Sequence, residues 1–529
     1  MSATRTLARA GMIVSGAFLF SRVLGWVRLV VIGNSLPPDA TDQLDAFFAA
    51  FRIPDLMFQL VAAGAVSSAL IPVISGIFES DGDQRAWRIV STVTNLMLIG
   101  LAILGIIVFV FADTIVPVYT SGFDPSTMAR TIELTRIMVL SPIFLAVGAV
   151  ATSVLNARGR FAAAAVAPSV YNLAIIGAAF TLAPSMGAVG LAIGVVLGSL
   201  GHVLVQLPPL RAIGFVYRPM IDLADAAARK TLSLMAPRAI GLGATQITFL
   251  VMTSLATGIG VGAVTAFTIA FTLLQIPVGV VAVPLAVVLF PSLSREVAGG
   301  NHSEFIGLLT RALRFLTFVL LPIAVLCAII PVEGIAVLFR RFDQETIELT
   351  ATTLQAFLVG LVAHGLIAVL ARAFYALHDT RTPVAAAVLA VVANTTLAMV
   401  LVEPLGLPGL ALAIALAAWL EAAVLTVLLR RRVGRFGLST LAWLGSRTVL
   451  ATAAAGLAGV VVHDRVGPLL APDPAAGGTG DLPGLVGVIV IVSVVYTAVF
   501  VGAALALRIE ELRSIVEIMV DALRRPRRA

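Results

Sequence analysis

The chain has 529 residues, 60% of them apolar and 12% charged, with a formal net charge of +7. A water-surrounded globule of this length carries about twice that share of charged residues, so a soluble domain and a disordered polymer are both excluded. The basic excess sits in short joints between apolar runs and forms no continuous stripe, which excludes a nucleic-acid partner.

Charge-poor apolar stretches of about 20 residues, enough to cross a hydrocarbon core, follow one another along the whole chain. Arg5 and Arg9 precede the first of them in the manner of a signal peptide, but Arg22 and Arg28 interrupt the run and no small-residue cleavage site follows. An uncleaved first membrane helix is therefore expected. In chain order the apolar windows predict helices at 11–34, 45–78, 87–112, 130–155, 161–183, 187–208, 230–257, 261–291, 307–330, 350–376, 383–402, 408–429, 441–462 and 485–507. The alternating ten-residue segments of an outer-membrane barrel are absent, and a lipid-exposed backbone must otherwise satisfy its own hydrogen bonds within helices. The expected fold is an all-α polytopic membrane protein of about fourteen transmembrane helices.

Lys and Arg are enriched in the short loops on the cytoplasmic side of a membrane. With the N-terminus inside, the inner joints hold Arg85, Arg88, Arg158, Arg160, Arg211, Arg218, Arg229, Lys230, Arg295, Arg372, Arg381 and the run Arg430, Arg431, Arg432. The outer joints carry Asp39, Asp42, Asp113, Asp124, Glu403, Asp473 and Asp481. A bacterial cytoplasmic-membrane protein with both termini in the cytoplasm is expected. The longest inner joint, "LPPLRAIGFVYRPMIDLADAAARK", follows the sixth expected helix, and the arginine run at 430 follows the twelfth. An even number of helices in each half gives parallel repeats, with a site between them near mid-membrane. Two six-helix lobes are expected, 1–210 and 211–432, followed at 433–529 by two extra helices and a basic tail.

Charges inside these spans need a reason, because each costs about 2.5–3.5 kcal/mol at the centre of a membrane helix. Arg22, Arg28, Arg52 and Arg238 are the clearest cases. Asp45 and Arg52 are seven residues apart, two helical turns, and so share a face; Pro54 is expected to kink the helix just beyond them. Arginine suits phosphate because its planar fork donates two parallel hydrogen bonds and stays charged at physiological pH. The competing reading, a snorkelling side chain or a fixed salt bridge between helices, stays open for all four. Of the other polar residues in apolar runs, Asn95, Asn172, His202, Gln246, Gln275, His364 and Asn394 suit hydrogen bonds between helices. Glu133 and Arg136, three apart, look like a local ion pair. Glu421, in "LAAWLEAAVLTVL", has no local partner and fits a proton-coupling site, a partner for an arginine, or a protonated bystander. The single cysteine, Cys327, lies in the apolar run "AVLCAII" and reads as a packing residue, and no motif of an enzyme or of a metal centre appears.

Several stretches together resemble one family: "FSRVLGWVR" at 20–28, "DAFFAAFRIPDL" at 45–56, "GAVSSALIPV" at 64–73, "VLNARGRFAAAAVAPSVYN" at 154–172, "LFPSLSREVAGGNHSEF" at 289–305 and "RAFYALHDTRTPV" at 372–384. The family is the MurJ (MviN) lipid II flippases of the multidrug/oligosaccharidyl-lipid/polysaccharide exporter superfamily. The resemblance implies two lobes around a central cavity that opens alternately to each side. The cargo it implies is undecaprenyl-pyrophosphate-linked disaccharide-pentapeptide, carried outward for peptidoglycan synthesis by a monomer, with cell-wall synthesis proteins as further partners and no cofactor. It assigns the pyrophosphate and sugar to Arg22, Arg28 and Arg52, gives Asp45 the family's acidic position, and offers the last two helices to the lipid tail. Membrane potential would reset the carrier.

The chain also departs from the family. Phe58, Gln59 and Ala63 stand where a basic pair and a glutamate are usual, and Phe271, Thr272 and Gln275 stand where an Asp-Arg and a glutamate are usual. Arg238 and Glu421 stand where family members are typically uncharged and are expected to restore part of the lost pair. Sodium coupling is suggested by Asn394 but weakened by Ala398, where a carboxylate would help; proton coupling would fall to Glu421. The competing functions are a flippase for another polyprenyl-linked glycan, a drug exporter of the same superfamily, and a non-transporting cell-wall scaffold. The net positive charge of the first two helices argues against the exporter, and the insertion cost of the arginines against the scaffold.

Overall fold

The computed structural model describes residues 16, 20–61, 65–434, 438–475 and 481–512; at 61, 65–68, 236–245 and 438–444 it describes the backbone alone. Every regular element among the described residues is helical. Among the described residues, ten helices are long and apolar enough to cross a membrane, or eleven if the bent pair Gln344–Leu358 and Leu361–Ala376, which meet at 45°, is one span. The other three expected spans, at 11–34, 45–78 and 230–257, are helical where described except at Asn34 and Phe51, and each lies partly outside the fully described residues. The chain divides into two compact units, Met1–Thr265 and Ala266–Ala529.

The first unit begins with helix α1 at 20–33. There follow α2 (Thr41–Ala50), α3 (Arg52–Val61), α4 (Ala65–Ser80), α5 (Asp83–Val110), α6 (Ala112–Tyr119), α7 (Pro125–Met138) and α8 (Ser141–Ala157). Next come α9 (Phe161–Thr181), α10 (Ala183–Met186), α11 (Ala188–Leu204), α12 (Leu207–Ala212) and α13 (Ala226–Thr257). The expected kink near Pro54 is a break between α2 and α3 at Phe51. Pro54 has no N–H to return to the Ala50 carbonyl, so α2 cannot run on through it. Helix α8 packs against α3, α4, α5, α9 and α11, and its small residues Ala146, Gly148 and Ala151 let those neighbours approach closely. Helix α13, the first of the expected second lobe, packs within this unit against α3, α4 and α5.

The second unit holds most of α14 (Ala263–Pro277), then a π-helical segment Val278–Ala282 that joins it to α15 (Val283–Ala298). It continues with α16 (His302–Ile329), α17 (Pro331–Leu338), α18 (Gln344–Leu358), α19 (Leu361–Ala376), α20 (Arg381–Leu405), α21 (Leu407–Val433), α22 (Leu438–Leu470) and α23 (Leu482–Ala506). Helices α20 and α21 form a hairpin turned at Gly406, whose φ of 60° is a left-handed conformation that costs glycine little. Helices α22 and α23 form a second hairpin, whose core joins Phe318, Ala451, Ala455, Tyr496 and Phe500. The Tyr496 hydroxyl donates to the Pro322 carbonyl at 3.0 Å, so its one polar atom is satisfied inside that core.

Buried threonines recur along α7 and α18. Thr131 and Thr135 donate to the carbonyls of Thr127 and Thr131, and Thr350 and Thr353 to those of Thr346 and Leu349, each four residues back in the same helix. All four are fully buried, on helices that pack against α2 and α11 in one unit and α21 in the other. Such back-bonding satisfies the hydroxyl locally.

Candidate functional site

The charges of the first unit gather around α3. Arg52, at its first position, donates from Nε to the Thr253 hydroxyl of α13 at 3.0 Å, and its guanidinium stands 5.5 Å from the Phe249 ring centre. One turn on, the Asp55 carboxylate accepts from the Gln246 amide of α13 at 2.8 Å, and both Arg52 and Arg28 lie within its electrostatic reach. The Arg28 guanidinium of α1 stands 5.5 Å from the Tyr171 ring centre of α9, and its Nε is buried without a hydrogen-bond partner. The neighbouring Asn172 amide donates to the Ser21 carbonyl at 3.2 Å and ties α9 to the start of α1. Two guanidinium groups and one carboxylate thus lie near one another within apolar helices. Aromatic faces accept such cations without neutralising them.

Asp45 is placed differently. It is 1% exposed, and its two carboxylate oxygens accept from the backbone N–H groups of Gly262, at 2.6 Å, and Thr265, at 2.8 Å. These are the N–H groups at the start of α14, which have no partner within the helix. The carboxylate therefore holds the α13–α14 turn to α2, and its charge suits the positive end of a helix.

Each of the remaining sequence candidates has its own surroundings. Arg22 is exposed on α1, and the Arg238 side chain lies outside the described residues. In the second unit Gln275 is exposed and Glu421 half-buried, with no hydrogen bond or ion pair joining Glu421 to another described residue. Asn394 is 4% exposed and its Oδ1 has no partner. The ion pair expected between Glu133 and Arg136 is not the one formed. Arg136 turns to Asp113 in the first turn of the preceding helix, α6, at 2.5 Å, and to the Phe109 carbonyl at 3.1 Å. Spacing alone favoured Glu133, but the carboxylate across the turn offers a shorter reach together with a carbonyl.

Sequence reading passed over Asp55 and Tyr171. The signal for Asp55 was present, a carboxylate three residues after Arg52 on the same helix face. Tyr171 lies 143 positions from Arg28, and nothing local marks it. In the second unit the buried Glu333 carboxylate meets His463 Nε2 at 2.7 Å, a contact joining α17 to α22. No group of three or more His, Cys, Asp and Glu side chains among the described residues is placed to hold a metal ion. A recess of about 340 Å³ in the first unit is lined by Phe109, Ile137, Leu140, Ile193 and neighbouring apolar groups. Its one charged residue, Arg136, is bound to Asp113, so the recess lacks the donors a pyrophosphate needs.

The fold is shared with known carriers. A solved lipid II flippase MurJ in an inward closed conformation matches with a TM-score of 0.75 at 22% identity, covering 94% of this chain and 99% of that one. An inward-facing multidrug resistance MATE family transporter of the MOP superfamily matches with a TM-score of 0.66 at 18% identity, covering 79% and 95%. Among sequence relatives, the lipid II flippase MurJ of Burkholderia cenocepacia is 31% identical over 436 residues, 80% of this chain and 84% of the relative. The probable lipid II flippase MurJ of Rhizobium tropici is 30% identical over 481 residues, 88% and 89%. The family model described as lipid II flippase MurJ matches residues 40–471. A multi-pass, all-helical membrane protein with paired arginines beside α3, the chain belongs to the lipid II flippase MurJ family.

Proposed function

We propose that this chain carries lipid II, the undecaprenyl-pyrophosphate-linked disaccharide-pentapeptide, from the cytoplasmic to the outer leaflet of a bacterial inner membrane. Its two parallel lobes, 1–210 and 211–432, would open alternately to the two sides, with both termini in the cytoplasm. The observation that carries the proposal is the pair Arg28 and Arg52, each with its guanidinium 5.5 Å from an aromatic ring centre and both within electrostatic reach of the Asp55 carboxylate. A pyrophosphate offers the paired acceptors that guanidinium forks take, and the buried Nε of Arg28 supplies a donor without a partner. The chain's task is then to bind, shield and release the cargo, with no bond made or broken. Membrane potential is proposed to return the positively charged, unloaded carrier. Glu421 and the free Oδ1 of Asn394 are the proposed points for proton or sodium coupling.

The test replaces the native lipid II flippase of a growing bacterium with this chain. Growth is expected with the intact chain and arrest with Arg28→Ala at equal membrane abundance. Arg28→Lys is expected to fall between them, because an ammonium keeps the charge but not the planar fork. Equal growth with all three chains overturns the assignment of Arg28. Failure of the intact chain, when purified and reconstituted, to move labelled lipid II overturns the proposed function and favours the scaffold reading.

A further inference from the structure

The segment 213–225, between α12 and α13, is strapped along the side of α5. Asn95 donates from Nδ2 to the carbonyls of Arg218, at 3.1 Å, and Met220, at 2.8 Å, and the Tyr217 hydroxyl donates to Asn95 Oδ1 at 2.6 Å. The backbone N–H groups of Arg218 and Asp222 donate to the hydroxyls of Ser91 and Thr92, each at 3.0 Å. Arg88 then pairs with Asp222 at 2.6 Å and Arg85 with Asp225 at 2.9 Å. A joint with no regular structure is thus fixed to α5 by its backbone, by the Tyr217 hydroxyl and by two carboxylates, while several of its apolar side chains stay uncovered.

Those side chains are apolar. Val216, Tyr217, Ile221 and Leu223 are 52%, 50%, 45% and 48% exposed. The depth of the strap says what covers them. A hydrocarbon core takes about 20 helical residues, and α5 ends at Val110, so the part of α5 within that core begins near Ser91. The strap binds Ser91, Thr92 and Asn95, the first turn of that stretch, and therefore lies where acyl chains meet headgroups. Around it Arg211, Arg229 and Lys230 are exposed and Arg218 half-buried, whereas its two carboxylates are already spent on Arg85 and Arg88. Apolar side chains at the boundary beneath unneutralised cations suit an anionic lipid surface.

We propose that residues 213–225 form a fixed interfacial collar whose apolar side chains enter one leaflet and whose basic neighbours hold anionic phospholipid headgroups there. This requires only that the chain spans a membrane, not that it moves lipid II. The test uses the full chain with Cys327→Ser, carrying a nitroxide on Ile221→Cys or Leu223→Cys, in vesicles of phosphatidylglycerol or of phosphatidylcholine. Asn301→Cys, in an exposed polar joint, serves as the water-facing control. Relaxation by oxygen against a water-soluble nickel complex is expected to place both labels about 5–10 Å below the headgroup level in phosphatidylglycerol, and shallower in phosphatidylcholine. The double variant Arg211→Gln/Lys230→Gln should remove that difference between lipids. Nickel access equal to the control means a solvated loop, shielding from both reagents means a protein cover, and equal depth in both lipids means no preference for anionic headgroups. Each of these three results overturns the proposal.

Discussion

Asp45 is the residue whose removal best separates holding the fold together from holding the cargo. Its carboxylate accepts from the N–H groups of Gly262 and Thr265 at 2.6 and 2.8 Å, in a site that is 1% exposed. Asp45→Ala leaves two buried donors without an acceptor at about 1–3 kcal/mol each, so a loss of about 2–6 kcal/mol of local stability is expected. Asp45→Asn keeps one acceptor oxygen and should lose about half as much, the remaining penalty coming from an N–H group that faces an amide. A bilayer protein of this size unfolds irreversibly, so the measurement is the melting midpoint of purified protein at one fixed heating rate. The expected order is intact highest, Asn next and Ala lowest, with lipid II transport lost only as folded protein is lost. If Asp45→Ala melts with the intact chain yet binds no lipid II, Asp45 touches the cargo and its bonds to α14 are incidental.

Acid should release the strap along α5 only at low pH. The Arg88 guanidinium holds the Asp222 carboxyl below the usual 3.8, and Arg85 does the same for Asp225. A lowered carboxyl stabilises the folded form above its ordinary value and loses that contribution as pH falls through the lowered one. Hydrogen exchange at 213–225, corrected for intrinsic rates, should therefore stay flat from neutral pH to about 4 and rise below it; loss of protection between pH 7 and 5 contradicts this. Gly409→Ala tests the α20–α21 hairpin, because a Cβ there would stand 2.2 Å from the Leu401 carbonyl oxygen. Backbone cannot step aside as a side chain can, so a loss of about 1–3 kcal/mol is expected. An unchanged melting midpoint would show that the hairpin is looser than its contacts imply.

What the sequence made legible was what each residue costs to place in lipid. Arg28 and Arg52 stand out against apolar runs, and both are found with aromatic or hydroxyl partners inside the first unit. The partners themselves were not legible, because Tyr171, Thr253 and Gln246 come from helices far along the chain and look like ordinary interior residues. Asp45 was recognised as a buried charge but not as a brace, since its acceptors serve backbone N–H groups 217 and 220 positions away and no side-chain pattern announces them. Hydropathy located the long spans well and the α2–α4 region poorly. There a break at Phe51 divides one expected span into α2 and α3, while α4 runs unbroken through its internal Pro72. The local-spacing rule misled at Arg136, where the winning carboxylate, Asp113, sits on a different helix.

The self-bonded threonines bear on motion as well as on packing. A hydroxyl that donates to its own helix asks nothing of the helix beside it. Were α7 to shift along α2, or α18 along α21, these hydroxyls would keep their acceptors. Polar residues of this kind add grip without adding a catch, which suits the packed seams of a carrier.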